Sequence, residues 1–248
     1  IGILELTSKA RTKFKTAKTG SSYLNFVLAL DVNSNMPIAI EAVPGYQMDK
    51  ASFKDFYEAK FNNFKNKIFL MDAGFYSEDN LSLIASNHNS YVIPASKNYL
   101  LYKEVTNKNN KCNNFIYKAN GKVDSIEYKE IVKDNKKVIY FKNLSEAAKL
   151  DAEYLTHLDN GDKGYSLDRY NELKDEFGVI VLITNLIDKD SKEIYYLYKK
   201  RWKIETFFER TKNGLHFETF NMESYGLIQG IAFILLITGR IDEKLNLL

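Results

Sequence analysis

The segment Lys67-Ile-Phe-Leu-Met-Asp72 constrains the fold more than any other part of this chain. Its continuous apolar run is too short for a core helix and reads as a buried strand. The run ends in a carboxylate, Gly74 follows two residues later, and a helical stretch extends over Glu78–Asn87. An acid at the end of a strand, before a glycine-containing turn and a helix, is a common way to set a carboxylate into the crevice of an α/β sheet. Read alone, Asp72 and Ser77 serve equally well as turn and helix-start residues. The neighbouring segments fit a sheet. Tyr23–Leu30 and Pro37–Val43 predict a hairpin around the turn Asp31–Met36. The spacing of Phe53, Phe56, Tyr57 and Phe61 predicts a helix over Ser52–Asn63. Ser90–Pro94 reads as another strand. The order β, β, α, β, α, β predicts a mixed α/β sheet with flanking helices.

The character changes from Ser96 to about Phe177. A polar stretch, 107–114, reads as a loop. Phe115–Lys118, Ser125–Val132 and Lys137–Phe141 read as strands, with Asn120-Gly121 as a strong hairpin signal. Ser145–Leu158 has a helical pattern, and Gly178–Thr184 reads as a buried strand returning to the sheet. The expected organisation is a core over 1–95, a β-rich insertion over 96–177, and a second part of the core over 178–248.

Composition excludes more than it assigns. A net charge of +3 gives no global polyanion-binding signal, although Lys9, Arg11, Lys13, Lys15 and Lys18 form a local basic run without an acid. Cys112 is the single cysteine, which excludes an intrachain disulfide and fits a reducing, cytoplasmic setting. The most apolar stretch, Ile228–Gly239, is too short to span a membrane and reads as a buried helix. There is no P-loop, dinucleotide fingerprint or zinc spacing, and His88, His157 and His216 are scattered and read as structural or exposed.

The second informative segment is YLYKKRWKIETFFERTK, which contains Tyr198, Arg201, Glu205 and Lys212. On one continuous helix these four fall within an arc of about 60°. Leu197, Ile204 and Phe208 form an adjacent apolar stripe that can bury, while Lys199, Lys203 and Arg210 lie on an outward face. The general reading of such a stretch is an amphipathic helix with surface charges. Arg201 stands out because only five of the 35 basic residues are Arg, and its planar fork suits phosphate recognition.

The four-residue spacing resembles the Tyr-Arg-Glu-Lys signature of bacterial insertion-sequence transposases, the insertion-sequence-four group. Asp72-Ala-Gly-Phe75 resembles that group's second catalytic Asp in its Asp-x-Gly-[Tyr/Phe] setting, and Pro44-Gly45 with Asp49 resembles the stretch after its hairpin. The resemblance implies a ribonuclease H-like mixed sheet, interrupted by a β-rich insertion before the Glu-bearing helix. It implies a DNA transposase that cleaves insertion-sequence ends and transfers strands by cut-and-paste chemistry. Asp72 and Glu205 would be catalytic and metal-binding, with two Mg²⁺ or Mn²⁺ ions. Tyr198, Arg201 and Lys212 would hold DNA phosphates. The partners would be double-stranded DNA and a second copy of the chain, with no membrane. Two other readings are a ribonuclease H-like nuclease that cuts without joining, and a non-enzymatic DNA-binding remnant.

The group's first catalytic Asp is expected on a strand before the hairpin. No Asp precedes Asp31, which sits at the hairpin turn, and Glu5 is the only acid before residue 20. The expectation is therefore a first strand missing or truncated, with the Asp upstream of residue 1 and little metal-dependent cleavage by this chain.

Overall fold

The computed structural model describes residues 3–7, 12–16, 20–44, 49–107, 111–215 and 225–245, with side chains described over 26–43, 51–107, 111–210 and 226–245. The chain divides into two compact units, Ile1–Ile93 with Leu197–Leu248, and Pro94–Tyr196.

The first unit opens with strands β1 (Ile3–Thr7), β2 (Thr12–Thr16), β3 (Gly20–Asp31) and β4 (Met36–Pro44), then helix α1 (Asp49–Phe61) and strand β5 (Ile68–Met71). A 3₁₀ turn at Ala73–Phe75, helix α2 (Glu78–Ser86) and strand β6 (Ser90–Pro94) follow. Long β3 organises the sheet. β4 pairs with it antiparallel, and the other edge of β3 takes β2 along residues 20–24 and β1 along 28–31. β1 then pairs parallel with β5, and β5 parallel with β6. This six-stranded mixed sheet with helices is compatible with the ribonuclease H-like expectation.

All four residues of β5 are buried, as expected of a strand between parallel neighbours. Phe69 packs against Tyr57 and Phe61 of α1, with ring centroids 5.4 and 5.8 Å away, and Phe53 meets Phe75 at 5.8 Å. Buried Asn89 anchors the loop before β5: its amide nitrogen donates to Tyr57 Oη (2.9 Å) and Phe64 O (2.7 Å), and its Oδ1 accepts from Lys67 N (2.9 Å).

In the second unit, α3 (Leu100–Thr106) precedes β7 (Asn113–Ala119), β8 (Lys122–Lys133) and β9 (Lys136–Asn143). Helices α4 (Leu144–Asp159) and α5 (Leu167–Leu173), strand β10 (Val179–Thr184) and helix α6 (Ser191–Lys199) complete it. The strands form an antiparallel meander in the order β10-β9-β8-β7. Two turns set its register. Asn120 and Gly121 have φ of 50° and 74°, and Asp134 and Asn135 have 51° and 57°, the paired left-handed residues that two-residue hairpins need. Phe115, Tyr117, Phe141 and Tyr195 pack as one aromatic cluster. The division falls within α6, and β10 belongs with the meander because its antiparallel partner is β9. The compact units divide at 93/94 and 196/197, whereas the expected insertion runs over 96–177.

The chain returns to the first unit through α7 (Trp202–Leu215) and α8 (Tyr225–Leu245). Ile204 and Phe207 of α7 pack on Leu28 and Leu30 of β3, and α7 also lies against β1. Ile228, Ala232 and Leu235 of α8 pack on Phe26 and Ala42. The alternate β3 residues Val27 and Ala29 are fully buried too, so β3 is covered on both faces.

Three expectations change. The signature does not lie on one continuous helix. Between Leu197 and Ile204 the backbone tightens into i→i+3 bonds (Lys200 N to Leu197 O 3.1 Å, Arg201 N to Tyr198 O 3.0 Å, Lys203 N to Lys200 O 3.2 Å), which ends α6 and restarts the chain as α7. The strand expected upstream is present as β1, inserted between β3 and β5. Finally, α8 is buried along one face only, since Phe233, Ile234 and Ile241 are 60%, 58% and 54% exposed. The basic run at 9–18 and the Gly45–Asp49 stretch lie outside the residues whose side chains are described, as does His216.

Candidate active site

Asp72 stands directly after β5, where a buried apolar strand delivers it to the sheet edge. The 3₁₀ turn that follows turns the chain away at once: Phe75 N donates to Asp72 O (3.1 Å). Ser77 then caps α2, its Oγ accepting from Asn80 N at 3.1 Å. The two roles left open by the sequence therefore separate. Ser77 starts the helix, whereas the Asp72 side chain makes no capping bond at its turn.

The Asp72 side chain meets Arg201. Arg201 Nη1 lies 2.8 Å from Asp72 Oδ1, and Nη2 donates to Glu205 Oε1 at 2.9 Å. The two carboxylates therefore lie within about 8 Å of each other, the reach of one guanidinium with a contact at each end. All three side chains are mostly buried: 11% exposed for Arg201, 19% for Asp72 and 25% for Glu205. Tyr198 is buried as well, and its ring centroid lies 5.7 Å from the guanidinium carbon, within cation–π range. Burial, the largest influence on Arg201, works against its charge. Tyr198, Asp72 and Glu205 outweigh it and hold the guanidinium above its ordinary range.

The tight turn between α6 and α7 explains this geometry. It directs Arg201 inward beside Asp72 and leaves the adjacent Trp202 61% exposed. The apolar stripe behaves as expected, with Ile204 fully buried. The outward basic face does not. Lys203 Nζ donates to Val32 O at 2.8 Å, tying α7 to the hairpin, and Arg210 pairs with Asp242 at 3.5 Å and with Glu243, tying α7 to α8. Lys212 lies on α7 among residues whose side chains are not described.

Two residues considered for the first carboxylate occupy different places. Asp31 is engaged at the hairpin turn, where its carboxylate accepts from Asn33 N (3.1 Å) and Ser34 Oγ (2.8 Å). Glu5 stands on β1, the strand beside β5. The register pairs Glu5 with Leu70 and Leu6 with Met71, so Thr7 is the position alongside Asp72. Glu5 is the one acid on that strand, and α7, which carries Glu205, lies against the same strand. The signal was present in Ile3-Leu-Glu-Leu-Thr7, a lone acid in an apolar strand pattern like the one ending at Asp72.

Carboxylates on separate elements are the hard oxygen donors that Mg²⁺ and Mn²⁺ prefer, and one or two of them suffice when substrate phosphates and water complete the shell. Asp72 and Glu205 fit that requirement as a pair. Among the described residues no cluster of three His, Cys, Asp or Glu forms a ligand set, and no helix is long and apolar enough to cross a membrane.

The family model described as "Transposase DDE domain" matches residues 4–238. No curated protein matches the chain.

Proposed function

Because the chain belongs to the transposase DDE-domain family, we propose that it is a DNA transposase whose catalytic carboxylates are Asp72, Glu205 and Glu5. A transposase acts on DNA. The finer reading is excision of an insertion sequence from the insertion-sequence-four group and its transfer to a new site, by two copies of the chain acting on the two ends. The observation that carries this reading is the Arg201 bridge, which brings carboxylates from sequence-distant elements, the end of β5 and α7, to one place. Glu5 enters because its strand separates β3 from β5 and lies under α7.

The chemistry is two successive in-line displacements at phosphorus. In the first, water attacks a phosphodiester at the element's end. The bond from phosphorus to the 3′ oxygen breaks, the water proton is lost to solvent, and the leaving oxygen takes up a proton as a free 3′-hydroxyl. In the second, that hydroxyl attacks a target phosphodiester, forms the new bond and expels the target's own 3′ oxygen. Divalent ions held by Asp72, Glu205 and Glu5 would supply charge stabilisation of the attacking and leaving oxygens. Tyr198, Arg201 and Lys212 hold phosphates near the reacting bond and set position rather than sequence.

The test uses the full chain, Mg²⁺ or Mn²⁺, and linear DNA carrying the genomic segments that flank its coding sequence, with a supercoiled plasmid as target. The expected result is cleavage at a defined pair of ends and joined product, both lost in Asp72→Asn, Glu205→Gln and Glu5→Gln. Cleavage at full rate in the Asp72 and Glu205 variants overturns the site. Cutting without joining selects the nuclease reading.

A further inference from the structure

We propose that Arg201 is an internal counter-ion for the catalytic carboxylates, occupying the place of a divalent cation until one arrives and then giving it up. This rests on the assignment of Asp72 and Glu205 to the cation. Two carboxylates this close, each at most a quarter exposed, repel each other strongly unless a positive charge lies between them. Arg201 supplies that charge from a mostly buried position.

The way it is held marks it as displaceable. A buried arginine is ordinarily fixed by a bidentate fork with its donors satisfied. Here each carboxylate meets a different nitrogen. The approach of Nη1 to Asp72 is an ion pair without hydrogen-bond alignment, and among the described residues neither Nε nor Nη1 has a hydrogen-bond partner. The Tyr198 ring offers a second surface beside it, and the residue sits on the tight turn between α6 and α7 rather than within a long helix.

The consequence is an exchange. A divalent ion binds only as the guanidinium leaves, so the measured affinity is lower than that of the carboxylates alone. The released guanidinium is then available to a DNA phosphate, which couples cation loading to DNA contact.

Calorimetric titration of Mn²⁺ into the full chain tests this. Arg201→Gln is expected to bind Mn²⁺ about 10-fold more tightly than wild type, because nothing has to be displaced. Its melting temperature without metal is expected to fall, and saturating Mn²⁺ should close much of that gap. Asp72→Asn combined with Glu205→Gln is expected to abolish binding. Equal or weaker Mn²⁺ binding by Arg201→Gln, with the double variant still non-binding, overturns the exchange and leaves the site intact. Retention of wild-type affinity by the double variant overturns the site itself. If Arg201→Gln does not fold, the wild-type chain decides the matter through Trp202, its single tryptophan and the next residue along. Saturating Mg²⁺, with binding followed by calorimetry, should change Trp202 emission as Arg201 moves. Unchanged emission overturns the proposal.

Discussion

In the first unit, the strand leading to Asp72 is buried at every position. In the second, β7 has no buried residue, and exposed and half-buried positions alternate from Asn114 onward. A strand between parallel neighbours, with helices over it, has no solvated face, so polar residues appear only where it ends. Asp72 stands at such an end. An antiparallel meander keeps one face open, so its polar residues are spread along the strands and specify little. A carboxylate at the end of β5 is informative in a way that Asp124 or Glu127, within β8, is not.

The comparison is broken most directly at Asp72. Asp72→Asn should lower strand cleavage on the order of 10³-fold, about 4 kcal/mol at the barrier, measured on labelled end DNA. An equal loss on neutralising Asp124 in the second unit would remove the distinction. Next in size, Ile204→Ala truncates a fully buried side chain beneath the site. It should cost about 2–5 kcal/mol in urea denaturation.

The second unit has its own weak point at Gly178. Its φ is +71°, and a Cβ there would lie 2.4 Å from Asn143 O and 2.8 Å from Ala147 N. Gly178→Ala should cost about 1–3 kcal/mol, visible as a lower denaturation midpoint, with the Asp72–Arg201–Glu205 geometry untouched by crystallography.

The second unit should also be the alkali-sensitive one. Burial raises the Tyr140 phenol from 10.0 to about 12 and pushes Tyr195 up as well. The folded state therefore favours the neutral phenols. That stability is fully present below pH 10 and is lost as pH rises from about 10 toward 12. Circular dichroism across that window, with Tyr140→Phe flattening the loss, checks it. The smallest effect is expected at Lys54, whose 3.9 Å pair with Glu58 is well exposed. Lys54→Ala should shift stability by less than about 0.5 kcal/mol.

Much of the fold was legible because local chemistry and tertiary role agree. The apolar run 68–71, the Asn120-Gly121 turn and the cap at Ser77 each carry their reason within a few residues. The parts that were not legible depend on distant partners. No glycine or proline marks the break between α6 and α7, since it arises from i→i+3 tightening. That break turns a surface stripe into a buried Arg201 bridge. Nor does hydrophobicity along α8 reveal that half of its apolar residues face outward. The place of Glu5 was not legible either, because only pairing with β5 sets its strand beside the one that ends at Asp72.

Gly239 of α8 has a consequence for the site that sequence spacing hides. A Cβ there would lie 2.5 and 2.6 Å from ring carbons of Phe207 and 3.2 Å from Pro37. Phe207 is two residues beyond Glu205, on the other side of α7. The bare glycine therefore works as a spacer shim, letting the Phe207 ring of α7 lie against the backbone of α8. Adding one methyl at 239 would press on the Phe207 ring, two residues from Glu205, without altering Asp72, Arg201 or Glu205. If Asp72 and Glu205 act as proposed, Gly239→Ala is expected to lower the rate without touching either carboxylate, since misplacement of about 1 Å can cost around 10²-fold.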